Sequence, residues 1–505
     1  MAHDHENDEP SMDELWELTS EAHTYDERTD ALMTIAERLK ADEEFWGSIA
    51  AAQSAFDIFD KASDQINMGH CLLHLGKCFA KLKEFNDALD SFAKAGDCFQ
   101  SVADDTNRGE ALRFLGYVYT DMDKPDEAAL VRKDAIALLA ASEDFTPAGI
   151  TALDLGETQG RAGRQSEALE SFKLAYKYFQ DANDIIGAVR AHDRIAAALI
   201  DLGQMSEALD HLRDALALAE YIDDVPRTNW GRYRLGWTLV TVGKYDEALP
   251  LLDQAIAGYK AVGNFVSAAS CDLQKAHAYN AMGEKARALY LYQTAHAVFE
   301  SMGDKQSALM SHVNVGENLT TAGNLLKAQE CFLEALDEAM EIKDAWLERA
   351  IRIRLSEVQL ALENPKGAME AIENSNADEW GEDISEKARH LNAQARALIA
   401  SDKMKEARKL LEKVIELNAN QSLPLETARA YEMVLKTLSG ASDNEISQIT
   451  AQAIALYLAA GQIDSACELS KLFMPADNTQ AVQMLRREFD QPTLFEAETA
   501  TPETD

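Results

Sequence analysis

The feature that most constrains this chain is a strict 40-residue period in its small residues. Gly76, Gly116, Gly156, Ala196, Gly236, Ala276, Gly316 and Ser356 follow one another at that interval. Twelve residues after each comes Ala88, Ala128, Ala168, Ala208, Ala248, Ala288, Ala328 and Ala368. Self-similarity of this length belongs to stacked repeats, each of which buries its apolar face against its neighbours. The several globular domains that 505 residues would otherwise suggest are therefore not expected.

Within a unit the spacing is helical. A larger apolar residue precedes most of the small ones (Leu75, Leu115, Leu155, Ile195, Leu235, Val315, Leu355), and another often follows three later, as Phe79, Tyr119, Leu199, Leu239, Tyr279 and Leu319. One apolar face at that spacing identifies a first helix. Gly163, Gly203, Gly243, Gly283 and Gly323 are predicted to end it in the left-handed C-terminal conformation. The second helix carries Ala88, Phe92 and Ala95, echoed by Ala168, Phe172 and Ala175 and by Ala328, Phe332 and Ala335. Small residues at fixed offsets let two helices approach closely while the ring fills the space beside them. Between units, Asp64, Asp104, Asp144, Asp184, Asp224, Asn264, Asp304 and Asp344 recur at the same interval. They are predicted to be N-caps worth ~1 kcal/mol each, and caps account for the ladder without a catalytic role.

Composition narrows the function. A formal net charge of −39 repels nucleic acid and anionic membrane, because phosphate binding needs clustered Lys and Arg. The six cysteines (Cys71, Cys78, Cys98, Cys271, Cys331, Cys467) form no C-x-x-C pair and read as reduced, mostly buried thiols. Met1 to Pro10 is acidic and lacks a basic-then-apolar leader, and the longest apolar run, Ala453 to Ala460, is far short of the ~20 residues of a membrane helix. A cytoplasmic chain is expected. No Gly-rich phosphate loop, H-E-x-x-H, metal-spaced Cys/His cluster or nucleophile elbow is visible, so neither an enzyme nor a cofactor is expected.

The pattern of small residue, Ala twelve later, aromatic four later and Ala three later resembles the tetratricopeptide repeat. The 40-residue form is similar to that of spindle-orientation adaptors and of Rap-type bacterial peptide-pheromone regulators. The resemblance implies an all-α fold, a right-handed superhelical solenoid of antiparallel helix pairs with about nine to eleven repeats. Residues 27–417 form the array, residues 1–26 an acidic segment with a capping helix around Leu15, Trp16 and Leu18, and residues 418–490 divergent helical repeats with a cap helix over 478–489. Residues 491–505 read as a disordered acidic tail. Two departures stand out. The proline frequent at the end of the family's second helix is missing, and a ninth unit with Ala395 and Ala407 falls one residue short of the period.

In such arrays the first helices line the concave groove. The resemblance then sends inward the positions six, three and two before the small residue, and one and four after it. Repeat five, the Gly236 unit, projects Trp230, Tyr233 and Trp237 along one helical face, as anchors for a peptide or as packing within the superhelix. Arg232, at an offset that is normally apolar, suggests that this helix is rotated. Arg190 and Arg194 of repeat four, Arg234 of repeat five and Arg113 of repeat two also project inward, where guanidinium groups can hold a carboxylate or pair internally with Asp154 and Asp193. They are similar to the basic part of the carboxylate clamp of chaperone-binding members, whose asparagines are absent. Asn314 and Arg354 form a second patch.

These residues predict a non-enzymatic scaffold or adaptor that binds a peptide or partner protein in its groove. The resemblance also admits a peptide-responsive regulator of the Rap type. The tail segment Gln491-Pro492-Thr493-Leu494-Phe495 looks like the Q-x-x-L-F peptide that docks on bacterial sliding clamps. The irregular helices beyond residue 420 leave room for homo-oligomerisation.

Overall fold

The structure, a computed structural model, describes residues 11–21, 24–373, 383–418, 423–438 and 442–473. The cap helix expected over 478–489, the Q-x-x-L-F segment and the acidic tail lie outside these residues. The chain divides into two compact units, Met1–Gly263 and Asn264–Asp505. Unit 1 contains α1 (Met12–Glu21), α2 (Tyr25–Ala41), α3 (Phe45–Ala62), α4 (Gln65–Lys81), α5 (Phe85–Ser101), α6 (Asp105–Asp121), α7 (Pro125–Ala141), α8 (Phe145–Arg161), α9 (Gln165–Asp181), α10 (Ile185–Asp201), α11 (Met205–Tyr221), α12 (Val225–Thr241) and α13 (Tyr245–Ala261). Unit 2 contains α14 (Phe265–Ala281), α15 (Lys285–Ser301), α16 (Lys305–Thr321), α17 (Leu325–Ile342), α18 (Ala345–Ala361), α19 (Pro365–Glu373), α20 (Ile384–Ala400), α21 (Met404–Asn418), α22 (Pro424–Thr437), α23 (Asp443–Ala459) and α24 (Ile463–Phe473). Within each unit successive helices pack against one another, so each is an all-α solenoid of antiparallel pairs. Among the described residues there is no strand, and no helix is long and apolar enough to cross a membrane.

The period has a finer grain than the sequence spacing suggests. Most helices between α2 and α18 are 17 residues long, and a three-residue turn completes each step of 20. Every twentieth residue from Glu43 to Glu363 has a positive φ. The predicted glycines take this place, with φ of +75° at Gly163 and +79° at Gly243, but so do Lys83 at 62° and Asp223 at 54°. At Gly163 the turn closes with Gly163 N–H donating to the Gly160 carbonyl and Arg164 N–H to that of Gln159, both at 2.9 Å. Those bonds satisfy carbonyls that the helix end leaves open.

The small residues behave as close-approach points. A Cβ on Gly76 would fall 2.6 Å from the Phe92 ring, and one on Gly156 would fall 2.5 Å from the Phe172 ring. Ala88, Ala128 and Ala168 are fully buried opposite them. The divergent first unit keeps the same contact, for the Ser48 hydroxyl of α3 donates to the Ala36 carbonyl of α2 at 2.6 Å. Before it stands α1, with Leu15 buried and Trp16 and Leu18 exposed.

The cap ladder holds with one exception. Asp64, Asp104, Asp184, Asp224, Asn264, Asp304 and Asp344 each accept a hydrogen bond from a backbone N–H three residues on. Asp144 makes no such bond. The third residue of its helix is Pro147, which has no N–H to donate.

A non-glycine residue held at positive φ costs roughly 1–2 kcal/mol of backbone strain, partly offset by the entropy glycine would lose. Lys83→Gly and Asp223→Gly are therefore expected to raise stability in urea unfolding by several tenths to ~1 kcal/mol each, and Gly203→Ala to lower it by a similar amount. Equal midpoints for all three variants and the parent would contradict the turn assignment.

Candidate partner-binding surface

The first helices touch across their second-helix neighbours: α4 meets α6, α6 meets α8 and α8 meets α10. This brings the position one after a small residue against the position two before the next. Tyr117 Oη accordingly donates to Asp154 at 2.6 Å, and Arg194 pairs with Glu157 at 2.9 Å. The same register gives His74 with Glu37 at 3.0 Å and, within unit 2, Arg354 with Glu317. Arg194 and Arg354 are thus links between successive repeats.

Repeat two holds a buried polar centre. Arg132 stands where Phe92 and Phe172 stand in the neighbouring repeats, and it is only 2% exposed. Its guanidinium donates to Thr158 Oγ1 and, at 2.9 Å, to Thr120 Oγ1, with the Tyr117 ring 5.6 Å away. Burial pushes the Asp154 carboxyl above the usual carboxylate range, against the Tyr117 hydrogen bond and the Arg132 charge. Arg113 completes the group, donating to Glu110 at 3.0 Å and to Tyr117 Oη at 3.3 Å, and lying 4.7 Å from the Phe114 ring. For Arg113 and Asp154 the internal network is the arrangement found. The sequence reading missed Arg132, although its place at an aromatic position was visible in the alignment of repeats.

Repeats four and five are more open. Arg190 is exposed on α10, and the half-exposed Arg194 reaches Glu157. Between them Asp193 is raised by burial, opposed by the charges of Arg234 and Arg194. On α12, Arg234 lies between two indoles, 5.8 Å from Trp230 and 5.5 Å from Trp237. Trp230 packs at a tilt on Tyr233, ring centres 5.7 Å apart. Trp230 is 45% exposed and Trp237 36%, so neither indole is core. The expected rotation of this helix is not found: Asp224 caps it and Leu235, Gly236 and Leu239 are buried in register. Arg232 is accommodated because it pairs at 2.8 Å with Glu220 at the end of α11.

Asn314 belongs to the other unit, half-buried on α16. Unit 2 also has a cavity of about 770 Å³ along α16, α18, α20 and α22. Arg354, Arg389, Arg396, Arg429 and Lys436 line it together with Glu317, Glu357, Glu386, Glu426 and Glu432. The charges pair along the lining, Arg396 of α20 with Glu357 of α18 at 2.8 Å and, within α22, Arg429 with Glu426 at 2.9 Å and Lys436 with Glu432 at 3.0 Å. The sequence reading did not find this cavity.

Helix pairs of this geometry define a tetratricopeptide-type protein, and tetratricopeptide profiles match residues 188–261 and 388–421. The profile of the soluble NSF attachment protein family matches residues 27–218 and 238–375, and the chain belongs to that family. Its role is therefore one of repeat-based protein interaction or regulation. No curated protein matches the sequence. Among solved structures the chain is similar to aspartyl phosphate phosphatase F from Bacillus subtilis, at 15% identity over 67% of this chain and 91% of that one with a TM-score of 0.44. It is similar to the apo quorum sensor NprR from B. thuringiensis, at 15% identity over 65% and 91% with a TM-score of 0.43. It also resembles kinesin light chain repeats of Podosopora anserina, at 19% identity over 39% and 97% with a TM-score of 0.35.

Breaking a buried charge pair from one side is far more damaging than replacing the whole by apolar packing. Arg132→Ala is expected to cost about 3–5 kcal/mol in chemical unfolding, because it strands Asp154 and opens a cavity. Arg132→Phe combined with Asp154→Leu should recover most of that loss. A single variant within ~1 kcal/mol of the parent would remove Arg132 from the centre of this network.

Proposed function

We propose that this chain is a non-enzymatic scaffold that holds a peptide or partner protein against the first helices of repeats four and five. The observation that carries the reading is α12, where Trp230 and Trp237 flank Arg234 and stay exposed. Indoles offer large apolar area at small ordering cost, and a guanidinium among them gives a directional partner for a carboxylate. Arg190, exposed on the neighbouring first helix, adds a second cation. A segment that sets a carboxylate beside a bulky apolar side chain has the complementary chemistry. Cations on this face are selective in a chain of net charge −39, whose remaining surface repels acidic partners.

Tyr233 completes the aromatic stripe in this reading. Arg113 and Arg194 hold the frame through Glu110, Tyr117 and Glu157. Asn314 marks a separate contact on unit 2. The family's name, that of an attachment protein, supports protein binding. Six free cysteines suit a cytoplasmic location.

A partner recovered from the source cell and identified should bind the purified chain in a calorimetric titration. Changing Trp237 and Arg234 together to Ala should weaken it at least ~30-fold, the scale of a binding hot spot, with the far-ultraviolet circular dichroism spectrum unchanged. Full affinity in the double variant would remove the partner from α12 and leave the scaffold reading standing. Affinity lost only together with helical signal would point to a folding defect instead.

A further inference from the structure

Repeat seven, the Gly316 unit, departs from its neighbours at one seam of the solenoid. The seam is formed where the second helix of one repeat meets both helices of the next. In repeat one it is built from Phe56, Leu72 and Ser91, and in repeat three from Ile136, Ala152 and Ser171. In repeat seven the equivalent positions are His296 of α15, His312 of α16 and Cys331 of α17, and Glu334 and Glu338 follow on α17. His296, His312 and Cys331 thus replace apolar or small residues at three register positions of one seam, and Glu334 and Glu338 add carboxylates beside them.

The side chains converge. The imidazoles of His296 and His312 are 4.7 Å apart between ring centres, and these two residues and Glu338 each bring a ligand atom within 4.8 Å of the others. His312 Nδ1 is 2.8 Å from Glu338, and its Nε2 is 3.7 Å from Glu334. Cys331 is buried, with its sulfur 3.4 Å from the His312 carbonyl and in hydrogen-bonding reach of the His312 ring. His296 Nδ1 is 2.9 Å from the Ala308 carbonyl. That acceptor makes Nδ1 the protonated nitrogen and leaves the Nε2 lone pair for a metal, as outer-shell carbonyls do for histidine ligands.

We propose that repeat seven binds a divalent transition-metal ion through His296, His312 and Glu338, with the Cys331 thiolate, which lies beside this converging group, drawn in as the fourth ligand. Imidazole, thiolate and carboxylate together suit Zn(II) and its spectroscopic substitute Co(II), and disfavour the all-oxygen preferences of Ca(II) and Mg(II). Bridging α15, α16 and α17, the ion would tie one repeat to the next where repeats one and three have only apolar and small residues. The competing arrangement is a protonated His312 paired with Glu334 and Glu338 and no metal. A counterpart in repeat four also brings three possible ligand atoms within 4.8 Å of one another, and because it lacks a cysteine it is the control for the thiolate signal. There His192 and His211 face each other with Nδ1 atoms 2.8 Å apart beside Asp214, with Tyr176 and Leu218 in place of His296 and Glu338 and no sulfur.

Titration of the full chain with Co(II) tests the assignment by absorption spectroscopy. The expected result is a thiolate-to-cobalt charge-transfer band that saturates near one equivalent, is bleached by Zn(II), disappears in Cys331→Ser and persists in His192→Asn. His312→Asn should weaken Co(II) binding by more than the ~10–100-fold typical of outer-shell changes. Absence of the band in the parent, or its survival in Cys331→Ser, overturns the proposal, and so does its loss in His192→Asn. Cys331→Ser removes little volume, so its thermal unfolding curve shows whether the variant is folded and keeps the test decisive if His312→Asn is not.

Discussion

The close approach of two helices at a glycine or alanine is the contact on which the rest of this molecule depends. With Gly156 against Phe172 and Gly76 against Phe92, there is no room for even one methyl group, so the axial position of each helix on its partner is fixed. The three-residue turn with its left-handed centre then returns the chain after 20 residues, and the same contact is made again. Neither device suffices alone. A close-packed pair with variable turns would not stack in register, and a regular turn without small residues would hold the helices apart.

Because the register is fixed, any pair of offsets becomes a repeated meeting place. The 37-residue separation of Tyr117 from Asp154, Glu157 from Arg194 and Glu317 from Arg354 is one consequence. Departures from the pattern carry the chemistry for the same reason: a changed residue at a repeated position meets partners already set in place. Arg132 at an aromatic position finds two threonine hydroxyls and Asp154, and His312 at an apolar position finds Glu338. Each single substitution is legible as an exception, but its consequence depends on residues one repeat away.

This explains what the sequence could and could not disclose. Helix pairing and the caps follow from a period that local spacing reveals directly, whereas the inward offsets are implied only by the resemblance to the tetratricopeptide repeat. The turns at Lys83 and Asp223 escaped notice because an imposed backbone can hold an L-residue at positive φ, which leaves no glycine to mark it. Asp144 was legible in principle, since Pro147 lacks the required donor. Arg232 reads as a misfit because its offset is normally apolar, while its partner Glu220 lies twelve residues earlier on another helix. The unit 2 cavity was hidden by the ninth repeat, whose one-residue shift takes Arg389 and Arg396 out of the columns in which inward positions were counted.

Charge distribution separates the two candidate surfaces. The unit 2 cavity sets five basic side chains against five acidic ones, so a ligand there must either bring both signs or break pairs already made at 2.8–3.0 Å. Breaking them exposes a partly desolvated charge, a cost that a single new pair only roughly offsets. On α12 the guanidinium of Arg234 rests on the indoles, and a carboxylate can add to that arrangement without dismantling an ion pair between repeats. That difference is why the α12 surface, rather than the cavity, is the one proposed to receive a partner. The same reasoning accounts for Arg113 and Arg194, which stand at offsets expected to face inward but are already committed to Glu110, Tyr117 and Glu157. Inward direction selects the residues that can meet a partner, and existing pairing decides which of them are free to bind it.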